Sequence, residues 1–180
     1  MSRYSSRILS IFALSILSAA FASAATFGRV VPIGGHAADI ALDEPRGVLY
    51  VANYAGATID VISLSDLAVN RSISVPAYPG SLALSPDGRY LVIGHYASIN
   101  GAALSQPGRD SLTVIDLTSN QKRTYGLGSG PVGVAIGADG LALVLTQTDF
   151  LLFDPASGAV TGLGSVANVT SQELPVTGPT

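Results

Sequence analysis

The sequence predicts an all-β protein built from repeated four-stranded antiparallel units, and three observations carry that prediction. The stretch Asp39-Ile-Ala-Leu-Asp-Glu-Pro-Arg-Gly-Val-Leu-Tyr-Val-Ala-Asn53 returns as Ser81–His95 and again as Gly133–Gln147, each copy reading strand, tight turn, strand. Each copy is followed by a third short apolar run, Ile59–Ser63, Leu112–Asp116 and Phe150–Asp154, and then by a fourth strand. The second strand of every copy is nearly continuous in apolar residues, Val48–Val51, Tyr90–Ile93 and Leu141–Leu145, the pattern of a strand buried on both faces. Copies begin 42 and then 52 residues apart, near the roughly 40–50 residues of a four-stranded blade in a β-propeller. Sheets stacked face to face around an axis bury their middle strands in this way, whereas a one-sided sheet alternates apolar and polar.

Composition narrows the partners. With 180 residues, 48% hydrophobic and 12% charged, the chain has the length of one domain and much apolar surface to cover. Nine basic residues face 12 acidic ones, with no basic cluster, so the electrostatic footprint of a nucleic-acid partner is missing. The absence of cysteine removes disulfides, thiolate catalysis and cysteine metal sites together. No cofactor is predicted.

Residues 1–24 combine Arg3 and Arg7, an apolar run from Ile8 to Phe21 and the small residues Ala22-Ser-Ala24, the order of a secretory signal peptide. The run is shorter than the ~20 residues that span a bilayer, so a retained membrane anchor is the weaker reading. Export without disulfides points to a periplasmic or secreted protein with no membrane attachment after cleavage. Phe27–Val31 resembles the fourth strand Arg71–Val75 and is expected to be the outer strand of a further blade. The repeats then occupy 25–165, as blades near 38–75, 80–127 and 131–164. Pro86-Asp-Gly88 and Ala138-Asp-Gly140 supply Gly where a hairpin needs positive φ and Asp where a side chain can bond the turn. Residues 166–180 read either as a loose tail or as the start of a further blade, since Gly178-Pro179 matches Gly130-Pro131 before the third copy.

Leu49-Tyr-Val-Ala-Asn53 looks like the signature of YVTN-type propeller repeats, and Leu84-Ser-Pro-Asp-Gly-Arg-Tyr-Leu-Val92 resembles the strand-turn-strand that begins their blades. The resemblance covers roughly residues 27–165 and departs from the pattern at Ala52, where the signature has Thr, in an insertion in the second blade, and at Val144-Leu-Thr-Gln147. It implies an exported β-propeller whose ligands meet the face formed by the loops entering strand one and leaving strand two. Members include surface-layer proteins, exported proteins of unassigned activity and propeller subunits beside redox enzymes.

Candidate site residues follow from that placement. His95 aligns with Asn53 and Gln147 at the close of strand two, so the position calls for a polar group in any blade. His36 lies in the loop entering strand one, aligned with Tyr78 and Gly130. The segment Tyr96–Asp110 has no counterpart in the other copies and is long for a connection; Tyr96 and Arg109 belong to it. No metal is predicted, because His36 and His95 have no convincing third ligand. Gly126-Leu-Gly-Ser-Gly130 leads into a strand rather than a helix, which rules out a phosphate cradle. Asp43, Asp87, Asp116, Asp139 and Asp154 read as turn formers. The preferred function is a binding or scaffold module for an unknown protein or small-molecule ligand. The alternative is an enzyme or enzyme-subunit domain, either a lactonase-like hydrolase or a redox-associated propeller.

Three blades fall short of the four to eight of closed rings, so the expectation is either an incomplete gene product, with the remaining blades encoded further on, or self-association to complete the ring. Signal peptidase should cut before Ala25 or Thr26. N-terminal sequencing of the exported protein checks this, and an intact Met1 in the membrane fraction would refute it.

Overall fold

The computed structural model describes residues 28–96, 98–99, 102–103 and 110–170. The first sheet runs β1 (Ala37–Asp43), β2 (Val48–Asn53), β3 (Thr58–Ser63) and β4 (Ala68–Ser74), each antiparallel to the next. The second orders β5 (Pro79–Leu84), β6 (Tyr90–His95), β9 (Ser111–Asp116) and β10 (Gln121–Gly126), with the short pair β7 (Ser98–Ile99) and β8 (Ala102–Ala103) inserted between β6 and β9. The third contains β11 (Pro131–Ile136), β12 (Ala142–Thr146), β13 (Asp149–Phe153) and β14 (Val160–Ser165), followed by one helical turn, α1 (Val166–Thr170). No helix among the described residues is long and apolar enough to cross a membrane. The leader 1–24, Arg109 and everything after Thr170 lie outside the described residues.

Strands β1, β5 and β11 are neighbours, so the first strand of each sheet lies innermost and the fourth outermost. Two apolar layers separate the sheets. Ala41, Tyr50, Ala52, Ile59 and Val61 of the first sheet meet Leu82, Leu91, Ile93 and Ile115 of the second. Val92, Leu112 and Val114 of the second then meet Ala142, Val144 and Phe153 of the third, where Tyr125 stands edge-on to Phe153 with centroids 5.3 Å apart. Successive side chains of a strand point to opposite faces, so Leu91 and Ile93 enter one layer while Val92 enters the other. This is the physical reason that β6 has no polar face. Leu84 and Val134 sit at the margins of these layers, partly buried.

Polar contacts fasten the same joints. Asp39, at the inner edge of β1, accepts Leu82 N–H of β5 at 2.8 Å with one carboxylate oxygen and Ile40 N–H at 2.8 Å with the other. At the rim, Lys122 Nζ donates to Ser74 O at 2.7 Å. The turn aspartates act locally: Asp87 accepts Arg89 N–H, Asp116 accepts Thr118 and Ser119 N–H, and Asp139 accepts Leu141 N–H. Gly88 and Gly140 have φ of 69° and 80°, which glycine adopts without the Cβ penalty other residues meet there.

Two sequence expectations are corrected. The run 27–31 is not an outer strand over its described residues: Gly28–Val31 belong to no strand, and Val30 is 91% exposed. The equivalence of Gln147 with Asn53 and His95 also shifts by one residue. Pairing puts Asn53 opposite Ala37, His95 opposite Pro79, and Thr146 opposite Pro131. The cause is a shorter hairpin, closed by Gly137 N–H to Leu141 O where the second sheet closes with Ser85 N–H to Tyr90 O. Gln147 is the counterpart of Tyr54 and Tyr96: their N–H groups donate to Gly130, His36 and Tyr78 carbonyls respectively.

Val92 and Val144 are fully buried in the second layer, so truncating either to Ala should cost about 1–4 kcal/mol. The exposed Val160 should change by less than ~0.5 kcal/mol on the same substitution. Urea denaturation of the three variants checks the assignment, and equal midpoints would refute it.

Candidate functional site: the loop face at the strand-two ends

At the ends of β2, β6 and β12 one buried polar side chain per sheet ties the surrounding loops. Asn53 donates through Nδ2 to Ile33 O at 3.0 Å and to Asp60 Oδ2 at 2.9 Å, while its Oδ1 accepts Gly56 N–H at 2.9 Å. The fit is tight, since a Cβ on Gly35 would lie 2.1 Å from Asn53 Oδ1. Asp60, itself buried in β3, also accepts Thr58 and Ser72 hydroxyls, so its carboxylate is satisfied without a cation. Thr146 accepts Asp149 N–H at 2.8 Å and donates to Asp149 O at 3.0 Å.

His95 is fully buried, with Nδ1 3.3 Å from Ala77 O and Nε2 2.9 Å from Thr113 Oγ1. A carbonyl only accepts, so Nδ1 carries the proton and Nε2 accepts the Thr113 hydroxyl; Thr113 in turn lies 3.0 Å from Thr124 Oγ1. Burial lowers the imidazole pKa to about 4. The ring is therefore neutral near pH 7, with both nitrogens engaged inside the sheet.

Residues one step further along reach the surface. The rings of Tyr54 and Tyr78 lie 5.2 Å apart across the first and second sheets, tilted by 43°. Between the second and third sheets, Gln147 Nε2 donates to the Tyr96 hydroxyl at 2.6 Å. Tyr96 packs over Gly130, where a Cβ would come within 2.5 Å of its ring, so glycine is required there. His36 stands exposed in the loop entering β1, its carbonyl used by Tyr54 N–H. Of the residues the sequence singled out, Tyr96 and Gln147 are thus in contact on the surface, and Asn53 and His95 lie beneath it. His36 contributes backbone alone, and Arg109 lies outside the described residues.

The opposite end of the sheets carries grooves of its own. A groove of about 620 Å³ runs between the β1–β2 and β5–β6 turns, bordered by Asp43, Arg46, Ser85 and Asp87. Arg46 Nη1 spans it, donating to Asp43 Oδ2 at 2.7 Å and Gly88 O at 2.8 Å. The Ser85 hydroxyl, 2.5 Å from Asp87, holds that carboxyl below its ordinary pKa. Arg89 pairs with Asp116 at 3.1 Å and lies over the Tyr90 ring. These charges are taken up by turns and neighbouring strands.

Sequence reasoning missed Tyr54, Tyr78, Asp60 and Thr146. Asp60 had a signal, a carboxylate in the middle of the apolar run Ile59–Ser63. Thr146 had none, because the shortened hairpin shows only in the pairing.

The architecture defines the class: these are blades of a β-propeller, three four-stranded antiparallel sheets stacked about an axis. The chain overlays Kuenenia stuttgartiensis hydrazine synthase with a TM-score of 0.60 and 19% identity, covering 76% of this chain and 38% of that one. It overlays the β-propeller domain of Myceliophteria thermophila Cps50 (Swd1) with a TM-score of 0.56 and 17% identity, covering 76% and 41%. In sequence it is 30% identical over 125 residues to Antigen Lp49 of Leptospira interrogans serogroup Icterohaemorrhagiae serovar copenhageni (strain Fiocruz L1-130), which is 65% of this chain and 26% of that protein. The chain therefore spans about a quarter of that relative's length. No protein-family model matches it.

His95 generates a pH prediction. Its folded pKa lies below the unfolded value of 6.5, so as pH falls the unfolded chain takes up the proton first. The associated stability is present above pH 6.5 and is lost progressively down to about pH 4, by ~3 kcal/mol in all. In urea titrations across that range, wild type should lose about this much more stability than His95→Gln. Parallel curves would show that the imidazole is solvated.

Proposed function

We propose that this chain is an exported, YVTN-type β-propeller module that works by binding, through the face bearing Tyr54, Tyr78, Tyr96 and Gln147. The observation that carries this reading is a division of labour along the strand-two ends. The buried residues Asn53, His95 and Thr146 have their polar atoms bonded within the chain, while the next residues, Tyr54, Tyr96 and Gln147, remain at the surface. Tyrosine rings beside rigid strand ends offer large amphipathic contact area at low entropic cost, and the Gln147 amide adds hydrogen-bonding groups next to them. The YVTN-like run supports the finer assignment in physical terms, since Tyr50 and Val51 are buried and Asn53 clasps two loops. Export rests on the leader-like residues 1–24.

The test compares the chain with a Tyr54→Ala, Tyr96→Ala, Gln147→Ala variant, which loses the contacts these side chains make between sheets and should still unfold cooperatively because the apolar layers are untouched. Each is immobilised and exposed to cell-envelope extract, and a specific ligand should be retained by wild type and reduced at least tenfold by the variant. Ester, lactone and dye-reduction assays with divalent metals added run in parallel. Turnover that purifies with the chain would overturn the reading in favour of an enzyme.

A further inference from the structure

The outer strands carry cations that the sequence disperses and the fold gathers. Arg71 of β4 stands opposite Val61, which fills the first apolar layer, so its side chain rises on the face turned towards the second sheet. Lys122 of β10 stands opposite Ile115 of the same layer and rises on the face turned towards the first. The two therefore flank the outer mouth of the first joint, a cleft of about 370 Å³ floored by buried Ile115 and also lined by Asn120. At ~30 Å³ per water, that is more room than one five-atom oxyanion fills. Arg71, Asn120 and Lys122 are exposed, so a ligand reaches them from solvent.

Nothing in the cleft balances the charge. No Asp or Glu lines it, and the ion pairs among the described residues are made by Arg46 and Arg89. Arg71 makes no hydrogen bond among the described residues, and Lys122 meets only the neutral Ser74 carbonyl. Asp60 approaches through Ser72, but its oxygens are taken by that hydroxyl, by Thr58 and by Asn53. The Asn120 amide has no partner among the described residues either. Two like charges at one cleft repel, in a chain whose 12 acidic residues outnumber its nine basic ones.

The second joint supplies the contrast. Arg123, opposite Val114 of the second layer, is the counterpart of Arg71. The counterpart of Lys122 is Val160, opposite Phe153, and Asp116 lines that mouth, paired with Arg89. Only the first joint sets two cations together without an acid.

We propose that the outer mouth of the first joint binds a phosphate group, free or as the monoester of a larger molecule. The Arg71 guanidinium offers two parallel N–H groups to two oxygens, Lys122 supplies the second charge, and the Asn120 amide donates to a further oxygen. Two positive charges match the charge of about −1.5 to −2 that a phosphate monoester carries at pH 7. None of these residues belongs to the loop face, so the site is independent of what that face binds.

Titration of the full chain with inorganic phosphate and with glucose 1-phosphate, followed by NMR, tests it. Saturable shifts of the Asn120 side-chain amide and the Arg71 Nε–H are expected. Binding of the ester should tighten between about pH 5 and pH 7.5, as its second proton leaves near pH 6. Arg71→Gln and Lys122→Gln should each weaken binding roughly tenfold, the loss of one charge-assisted contact. Arg123→Gln removes the same charge on the other face of β10 and should change binding by less than about twofold, because exposed charges are screened. Arg71→Lys keeps the charge and should restore part of the loss, which also answers for a Gln variant that fails to fold. Tighter binding of the ester would place the phosphate on a larger ligand and equal binding would make it a free ion; either upholds the site. No saturable shift at Asn120 and Arg71, or a loss in Arg123→Gln equal to that in Arg71→Gln, would overturn the proposal.

Discussion

The structure depends on one constraint: a four-stranded sheet whose middle strands are apolar on both faces must be covered on both. The second sheet meets it inside the chain, since Leu91 and Ile93 pack on the first sheet and Val92 on the third. At roughly 25 cal/mol per Å² of apolar area removed from water, these two layers outweigh the single inter-sheet bonds made by Asp39 and Lys122. The polar contacts set register and angle. The apolar layers hold the stack.

The loop face inherits its geometry from that stack. Each second strand must end in a chain reversal whose backbone groups need partners, and each sheet solves this with a different buried side chain: an amide, an imidazole or a hydroxyl. Asn53 reaches two loops and a carboxylate, His95 a carbonyl and a threonine, and Thr146 only its own turn. The reach of the side chain decreases along the chain. The third sheet is correspondingly the one whose surface residue, Gln147, leans back on the second sheet through Tyr96.

The fold was legible because its signals are periodic. Asp-Gly turns, apolar second strands and the spacing of the copies all repeat, and each has one structural meaning. The site was only half legible. His95 and Asn53 were recognised as equivalent from alignment, yet alignment could not see that removing one residue from the Gly137–Leu141 hairpin moves Thr146 into their place and sends Gln147 to the surface. Tyr54 and Tyr78 escaped notice because their relation is across sheets, from residues 24 apart that no sequence window joins. Asp39 reads in sequence only as the start of the first copy, whereas in the fold it accepts Leu82 N–H of the adjacent sheet.

That one-residue change bears on how the face can vary. An insertion or deletion in a first hairpin leaves the apolar layers intact, because pairing resumes with Ala142 and Val144 still directed inward. Its effect falls on the far end of the second strand, where it exchanges the buried knot residue for the surface residue. Variation in turns at one end of the sheets is thereby transmitted, along a rigid strand, into the composition of the opposite face. The layers can stay constant while the contact surface changes, so a repeat of this kind is specific for its fold and uninformative about its ligand.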